Sequence, residues 1–140
     1  MTEKQEPSLH HVVFAVQPER HAAAAQLFSD LGFVFETLQL TELGLDIHLD
    51  WNRGIELISP IPGSTGEVAV SVDEFLERHG AGVYTVVIGV PEADSAEAAA
   101  ERYGATTRFR QHFEGDGSYL DENDLSVLGL PLTLLATNIP

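Results

Sequence analysis

Three stretches of this sequence carry side chains that could do acid–base or ligand chemistry. His11 sits in Leu9–Val16, LHHVVFAV, a β-branched run of strand length. An imidazole there titrates near neutral pH. It suits an acid/base catalyst, a metal ligand, or a histidine hydrogen-bonded for structure. Glu56 stands in the otherwise apolar segment Ile55-Glu-Leu-Ile58. A lone carboxylate among apolar neighbours is costly unless something pairs with it. His11, water or a ligand could do so, and the other reading is an exposed strand carboxylate. The third stretch is Arg108, Arg110 and His112, which alternate as if on one strand face. Three cations together could hold a carboxylate or phosphate of a ligand, and pairing with surface acids is the simpler use.

His48 alternates with Asp46 and Asp50, leaving Leu45, Ile47, Leu49 and Trp51 to the other face. Periodicity fixes this parity but not its direction, so a solvated face and a ligand-lining face both stay open. Trp51, Tyr84 and Tyr119 could line an apolar pocket, although aromatic residues commonly fill cores.

Composition bounds the partners. The 140 residues include 22 acidic and 7 basic ones, a formal charge of −15. A polyanion such as nucleic acid, or an anionic membrane, would be repelled. With no cysteine, disulfides, thiolate metal sites and a cysteine nucleophile are excluded. There is no Gly-rich phosphate loop, dinucleotide fingerprint or Gly-x-Ser-x-Gly elbow. No apolar run has the length of a membrane span, and the polar start lacks a signal core. The default expectation is a cytoplasmic protein.

The elements that must position these residues come in a repeat. After a flexible leader over 1–8, a strand at Leu9–Val16 leads to a helix that starts at Pro18 and is capped by Gly32. Strands follow over Phe33–Leu40, Leu43–Trp51 and Gly54–Ser59. Residues 61–81 read as a linker with a short helix, opened by a capping box at Ser71-Val-Asp-Glu74. Then the pattern recurs: Thr85–Val90, TVVIGV, matches His11–Val16, HVVFAV, and each leads to Pro-Glu and an Ala-rich helix. Strands are expected at 106–113, 118–121 and 131–137. The segment Ile55–Ile58 corresponds to Leu132-Thr-Leu-Leu135.

The expected fold is therefore α+β: two βαβββ modules, 9–60 and 82–140, in one structural domain. Their curved, mostly antiparallel sheet would enclose a cavity, with helices on the other face. Val12, Phe14 and Val16 should face the helices. His11, Val13 and Ala15 should face the concavity, with Thr85, Val87 and Gly89.

Phe75-Leu-Glu-Arg-His-Gly-Ala-Gly-Val83 followed by a strand, the opening strand and Ile55–Ile58 together resemble the vicinal oxygen chelate superfamily. That superfamily contains glyoxalase I, bleomycin-resistance proteins and extradiol dioxygenases, and the resemblance leans toward the methylmalonyl-CoA epimerase branch. It implies a divalent metal held by one residue from each of four strands, which stabilises an enolate or enediolate. Residue by residue, the implied ligand positions are His11, Glu56, Thr85 and Thr133. The two threonines replace the usual histidine and glutamate, and a neutral hydroxyl is a poor ligand for a transition metal. His48 or His112 would be the substitutes. The cofactor expectation is none, or a weakly held divalent metal.

Two functions follow. One is an epimerase, isomerase or lyase that moves a proton next to a carbonyl, with His11 and Glu56 as acid/base groups. The other is metal-free sequestration of a hydrophobic or aromatic small molecule, as in resistance proteins. In either, Thr85, Thr133, His48, Arg108, Arg110, His112, Trp51 and Tyr119 are candidate ligand contacts. The resemblance also allows a homodimer.

Overall fold

A computed structural model describes residues 6–140. Of the leader expected over 1–8, residues 1–5 lie outside the described residues, and Ser8 already opens the first strand. Two compact units form: His11–Tyr84, and Thr85–Pro140 with the stretch up to His10.

The first unit takes its elements in the order β1 (Ser8–Ala15, from His11 onward), α1 (Pro18–Asp30), β2 (Glu36–Leu40), β3 (Leu45–Asp50), β4 (Ile55–Pro60) and α2 (Glu67–His79). Strand β4 lies between β3, antiparallel, and β1, parallel, while β2 pairs antiparallel with β3. Proline at the start of α1 loses nothing there, and Leu31 N–H closes the last turn on the Leu27 and Phe28 carbonyls. Gly32 follows at φ 107°, a conformation few other residues adopt. The Phe14 ring meets Phe28 of α1 at 5.8 Å between centroids, so the expected parity of β1 holds.

Helix α2 lies within 61–81 as expected but does not start at the expected cap. It has 13 residues and begins at Glu67, four positions before the expected cap at Ser71. No side chain caps it. The Ala69 N–H of its first turn is instead satisfied by the Leu43 carbonyl at 3.0 Å. Gly66 makes this approach possible, because a Cβ there would lie 2.7 Å from the same carbonyl oxygen. Ser71 is inside the helix and hydrogen-bonds the Tyr84 hydroxyl at 2.7 Å.

The second unit contains β5 (Gly82–Gly89, from Thr85 onward), α3 (Ala93–Glu101), β6 (Thr106–Gly115), β7 (Ser118–Val127) and β8 (Leu130–Thr137). Its pairing copies the first. Strand β8 is parallel to β5 and antiparallel to β7, which in turn pairs with β6. The registers agree as well: Val13 lies opposite Glu56, and Val87 opposite Thr133. The class is α+β.

Strand β7 is longer than expected because its acids do not break it. Asp121 pairs with His112 and Asp124 with Arg108, both on β6. The β7–β8 hairpin closes on Leu128 and Gly129, with φ of 53° and 77°. Two successive positive φ values define a turn suited to Asn-Gly, and leucine has no side chain that eases it. Leu128 is exposed and has no packing role to lose. Leu128→Asn should therefore stabilise the protein by about 1 kcal/mol, seen as a higher urea midpoint at unchanged slope; a lower midpoint would refute the strain.

Candidate functional site

The parallel pairing of β1 with β4 places His11 beside Glu56. His11 Nε2 lies 3.3 Å from Glu56 Oε1, with the histidine 3% exposed and the glutamate side chain 18%. The carboxylate thus has the partner that its apolar strand requires. The Trp51 ring stands 6.1 Å from the imidazole, centroid to centroid, in a tilted arrangement. The less covered member, Glu56, is the one a ligand would meet first.

In the other unit the matching register brings Thr85 to Thr133. Their hydroxyls are 3.0 Å apart, and both residues are buried. Thr133 donates onward to Asp124 Oδ1 at 3.2 Å, and Arg108 donates to the same oxygen at 2.7 Å. Burial pushes the Asp124 pKa up, and Arg108 and Thr133 only partly offset this. Sequence reasoning missed Asp124. Only the register exposes it: Asp124 faces Thr133 across β7–β8 as Leu49 faces Glu56 across β3–β4.

The three basic residues do not form one cluster. A bulge between Thr107 and Phe109 inserts Arg108 as an extra residue in β6. Arg108 consequently reaches Asp124, while Arg110 points to the helix side and bonds both oxygens of Glu97 on α3 at 2.8 Å. Thr107 donates to Glu97 too, and Asn123 reaches it at 3.5 Å. Burial pushes the Glu97 carboxyl up, but Thr107 and Arg110 outweigh it and hold the group below its ordinary range. His112 pairs with Asp121, and that hydrogen bond raises its pKa. Tyr119 lies on β7, with its N–H bonded to Asn138 Oδ1 at 2.9 Å.

His48 does not join His11 and Glu56. Leu49 lies opposite Glu56 across β3–β4, so His48 takes the other face, toward α1. There its Nδ1 is 2.8 Å from Nε2 of His21, which sequence reasoning passed over. The His21 Nδ1 in turn is 2.5 Å from Ser59 Oγ. Ser59 spends its one proton on the Val16 carbonyl at 2.8 Å, so His21 Nδ1 must donate to it. His21 Nε2 then accepts from His48 Nδ1, so the His21 ring is neutral. The spacing of His21 and Ala25, the two buried residues of α1, was the available signal.

The donor set does not fit the divalent metal that the resemblance implied. His11 and Glu56 supply two ligands, and the Thr85 and Thr133 hydroxyls bond each other. Among the described residues, no three His, Asp or Glu side chains gather to hold an ion.

Comparison with solved structures interprets the architecture. A Streptomyces coelicolor methylmalonyl-CoA epimerase, in complex with 2-nitronate-propionyl-CoA, superposes with a TM-score of 0.64 at 18% identity, over 94% of this chain and 97% of that one. A hypothetical protein from Bacillus halodurans gives a TM-score of 0.69 at 15% identity, over 97% and 98%. The fold is glyoxalase-like. The same glyoxalase-like fold is shared with 4-hydroxymandelate synthase from Streptomyces coelicolor, at a TM-score of 0.66 and 17% identity, over 96% of this chain and 50% of that one. No protein-family model and no curated protein sequence matches the chain. The glyoxalase-like fold is thus the one that the sequence led us to expect. Among the described residues, no helix is long and apolar enough to cross a membrane.

The His21–His48 pair gives a pH prediction. Burial lowers the His21 pKa first, the His48 charge lowers it further, and Asp46 raises it in opposition. The unfolded chain therefore binds the proton more readily than the folded one. Stability should be full above the ordinary value of 6.5 and fall as pH drops below it. Urea midpoints measured from pH 8 to 5 should decline, and less so in His21→Gln; equal slopes would refute the account.

Proposed function

We propose that this chain moves a proton next to the carbonyl of a small molecule, with Glu56 as the base and His11 as the group that holds it. The observation that carries the reading is the buried His11–Glu56 contact at 3.3 Å. A carboxylate within reach of a ligand can take a carbon-bound proton when the resulting negative charge spreads onto an adjacent carbonyl oxygen. Glu56 would accept that proton and become a carboxylic acid, and the ligand would become an enolate. Return of the proton to either face of the carbon gives epimerisation; return to a different atom gives isomerisation. His11, more buried than Glu56, would fix the carboxylate's orientation through Nε2.

The ligand class draws on the fold. An epimerase that shares it is recorded with an acyl-CoA analogue, so acyl-CoA thioesters are the first compounds to test. This reading does not require a metal, in keeping with the two-donor arrangement at His11 and Glu56.

Sequestration of a small molecule without chemistry is the second reading. The replacement of two ligand positions by Thr85 and Thr133 favours it, because these hydroxyls are buried against each other.

Proton–deuterium exchange at the α-carbon separates the two. Propionyl-CoA and methylmalonyl-CoA incubated in D2O should exchange in the presence of the protein, and Glu56→Gln should slow that exchange by about a hundredfold or more. Binding without exchange, equally tight in wild type and Glu56→Gln, would overturn the enzymatic reading in favour of sequestration.

A further inference from the structure

His11 and Glu56 bring two strong donors together, and among the described residues no third joins them to hold a divalent metal. That shortfall constrains the ligand. A carboxylate is a weak base toward carbon. It takes a proton from carbon only where the electron pair left behind is well delocalised. With no donor set for a Lewis acid, the ligand must spread that pair over its own bonds. One carbonyl is the minimum. A second π system on the same carbon, an alkenyl or aryl group, extends the conjugation and makes the C–H bond more acidic. Such a ligand is flat about the reacting carbon once the proton has left.

The surroundings of Glu56 suit a flat group, and all of them belong to the unit His11–Tyr84. On the strand face that carries Glu56, the neighbours Val13, Ile47 and Ile58 are buried. Glu56 itself is partly exposed, so its open side is toward the β3–β4 turn, where Leu49 and Trp51 are half-buried. Leu49 stands directly across from Glu56, and the Trp51 ring is the one beside the His11 imidazole. A ligand that meets the carboxylate from this side meets an aliphatic and an indole surface with it.

The turn holds Trp51 in place. The Asp50 carboxylate accepts the Val34 N–H at 2.9 Å and the Arg53 N–H at 3.0 Å. The Asp50 carbonyl accepts the Gly54 N–H at 2.9 Å, and the Gly54 carbonyl accepts the N–H of Val12, the residue after His11, at 3.0 Å. The turn is thereby tied to the segment after α1 and to β1. An aromatic surface fixed before binding loses little freedom when a ligand settles on it.

We propose that Trp51 is a specificity-determining residue that selects carbonyl compounds whose α-carbon bears an alkenyl or aryl group. The flat group lies along the indole while the α-carbon faces Glu56. The substrate class rests on the reading of Glu56 given under Proposed function; the aromatic contact at Trp51 stands apart from it. In the reaction the α C–H bond breaks, its proton passes to the Glu56 carboxylate, and its electron pair enters the conjugated system of carbonyl and substituent. Return of the proton to the same carbon gives epimerisation. Return to the far end of an alkenyl group moves the double bond into conjugation with the carbonyl. Either return restores the Glu56 carboxylate.

The test compares phenylacetyl-CoA with cyclohexylacetyl-CoA on the full chain. The two share the coenzyme A portion and differ in whether the ring on the α-carbon is flat and conjugated. A merely apolar surface favours the saturated ring, which is the more hydrophobic. An aromatic wall should instead bind phenylacetyl-CoA about two- to tenfold more tightly by calorimetry. Trp51→Leu should abolish the preference, and Trp51→Phe should keep it. Trp51 is the only tryptophan in the sequence, so indole emission reports this place alone and should change on saturation with phenylacetyl-CoA. No phenyl preference in the wild type, a preference that survives Trp51→Leu, or unmoved emission overturns the proposal. The rate of α-proton exchange in D2O, divided for each thioester by its rate in acetate buffer, should be several-fold larger for phenylacetyl-CoA; equal quotients overturn the substrate class. Exchange from neither thioester, with the phenyl preference at Trp51 intact, supports aromatic selection and overturns the base role of Glu56, so the two failures are separate results.

Discussion

Each unit is organised by a parallel pairing between strands that are far apart in sequence, β1 with β4 and β5 with β8. Parallel neighbours cannot be joined by a tight hairpin, so the chain must travel through a helix and two further strands before returning. That detour puts α1 or α3 on one face and leaves the opposite face to the residues at alternate positions. A slip of one residue in this pairing would turn Glu56 toward α1 and strand His11 without its carboxylate. The polar chemistry of both units depends on a register set mostly by apolar side chains, among them Leu57, fully covered, and Leu135, almost so.

The two copies have kept that backbone frame and diverged in what they mount on it. An imidazole and a carboxylate meet directly in one; two hydroxyls, a displaced aspartate and an arginine make a longer chain in the other. Neither arrangement assembles the three or more strong donors that a structural or catalytic transition metal needs. The faces toward the helices carry polar chemistry of another kind. His21, His48 and Ser59 are consumed in a chain of oriented hydrogen bonds, and Glu97 holds Arg110, Thr107 and Asn123 around it. These side chains satisfy buried polar groups where helix meets sheet.

Much of this was legible because strand periodicity is a local signal. The alternation in HVVFAV set the parity of β1, and the isolated Glu56 called for a partner that His11 supplies. What escaped depended on contacts distant in sequence. Ser71 looked like a helix cap because its local pattern fits one, but a carbonyl at Leu43 satisfies the first turn from outside. His48 had a definite parity and no direction until α1 supplied His21. The expected strand stopped at Asp121, short of the rest of β7, because the partners of its acids, Arg108 and His112, lie on the preceding strand. Asp124 gained significance only when the two halves were laid over one another by register.

The extra residue at Arg108 has a consequence for how this strand can be compared or redesigned. Positions up to Thr107 and positions from Phe109 onward do not share one alternation, so an ungapped alignment through the bulge would assign one half of the strand to the wrong face. Deleting a residue there would not merely shorten the strand. It would regularise the pleat, take the guanidinium away from Asp124, and leave a largely covered acid to find another counterion or stay protonated.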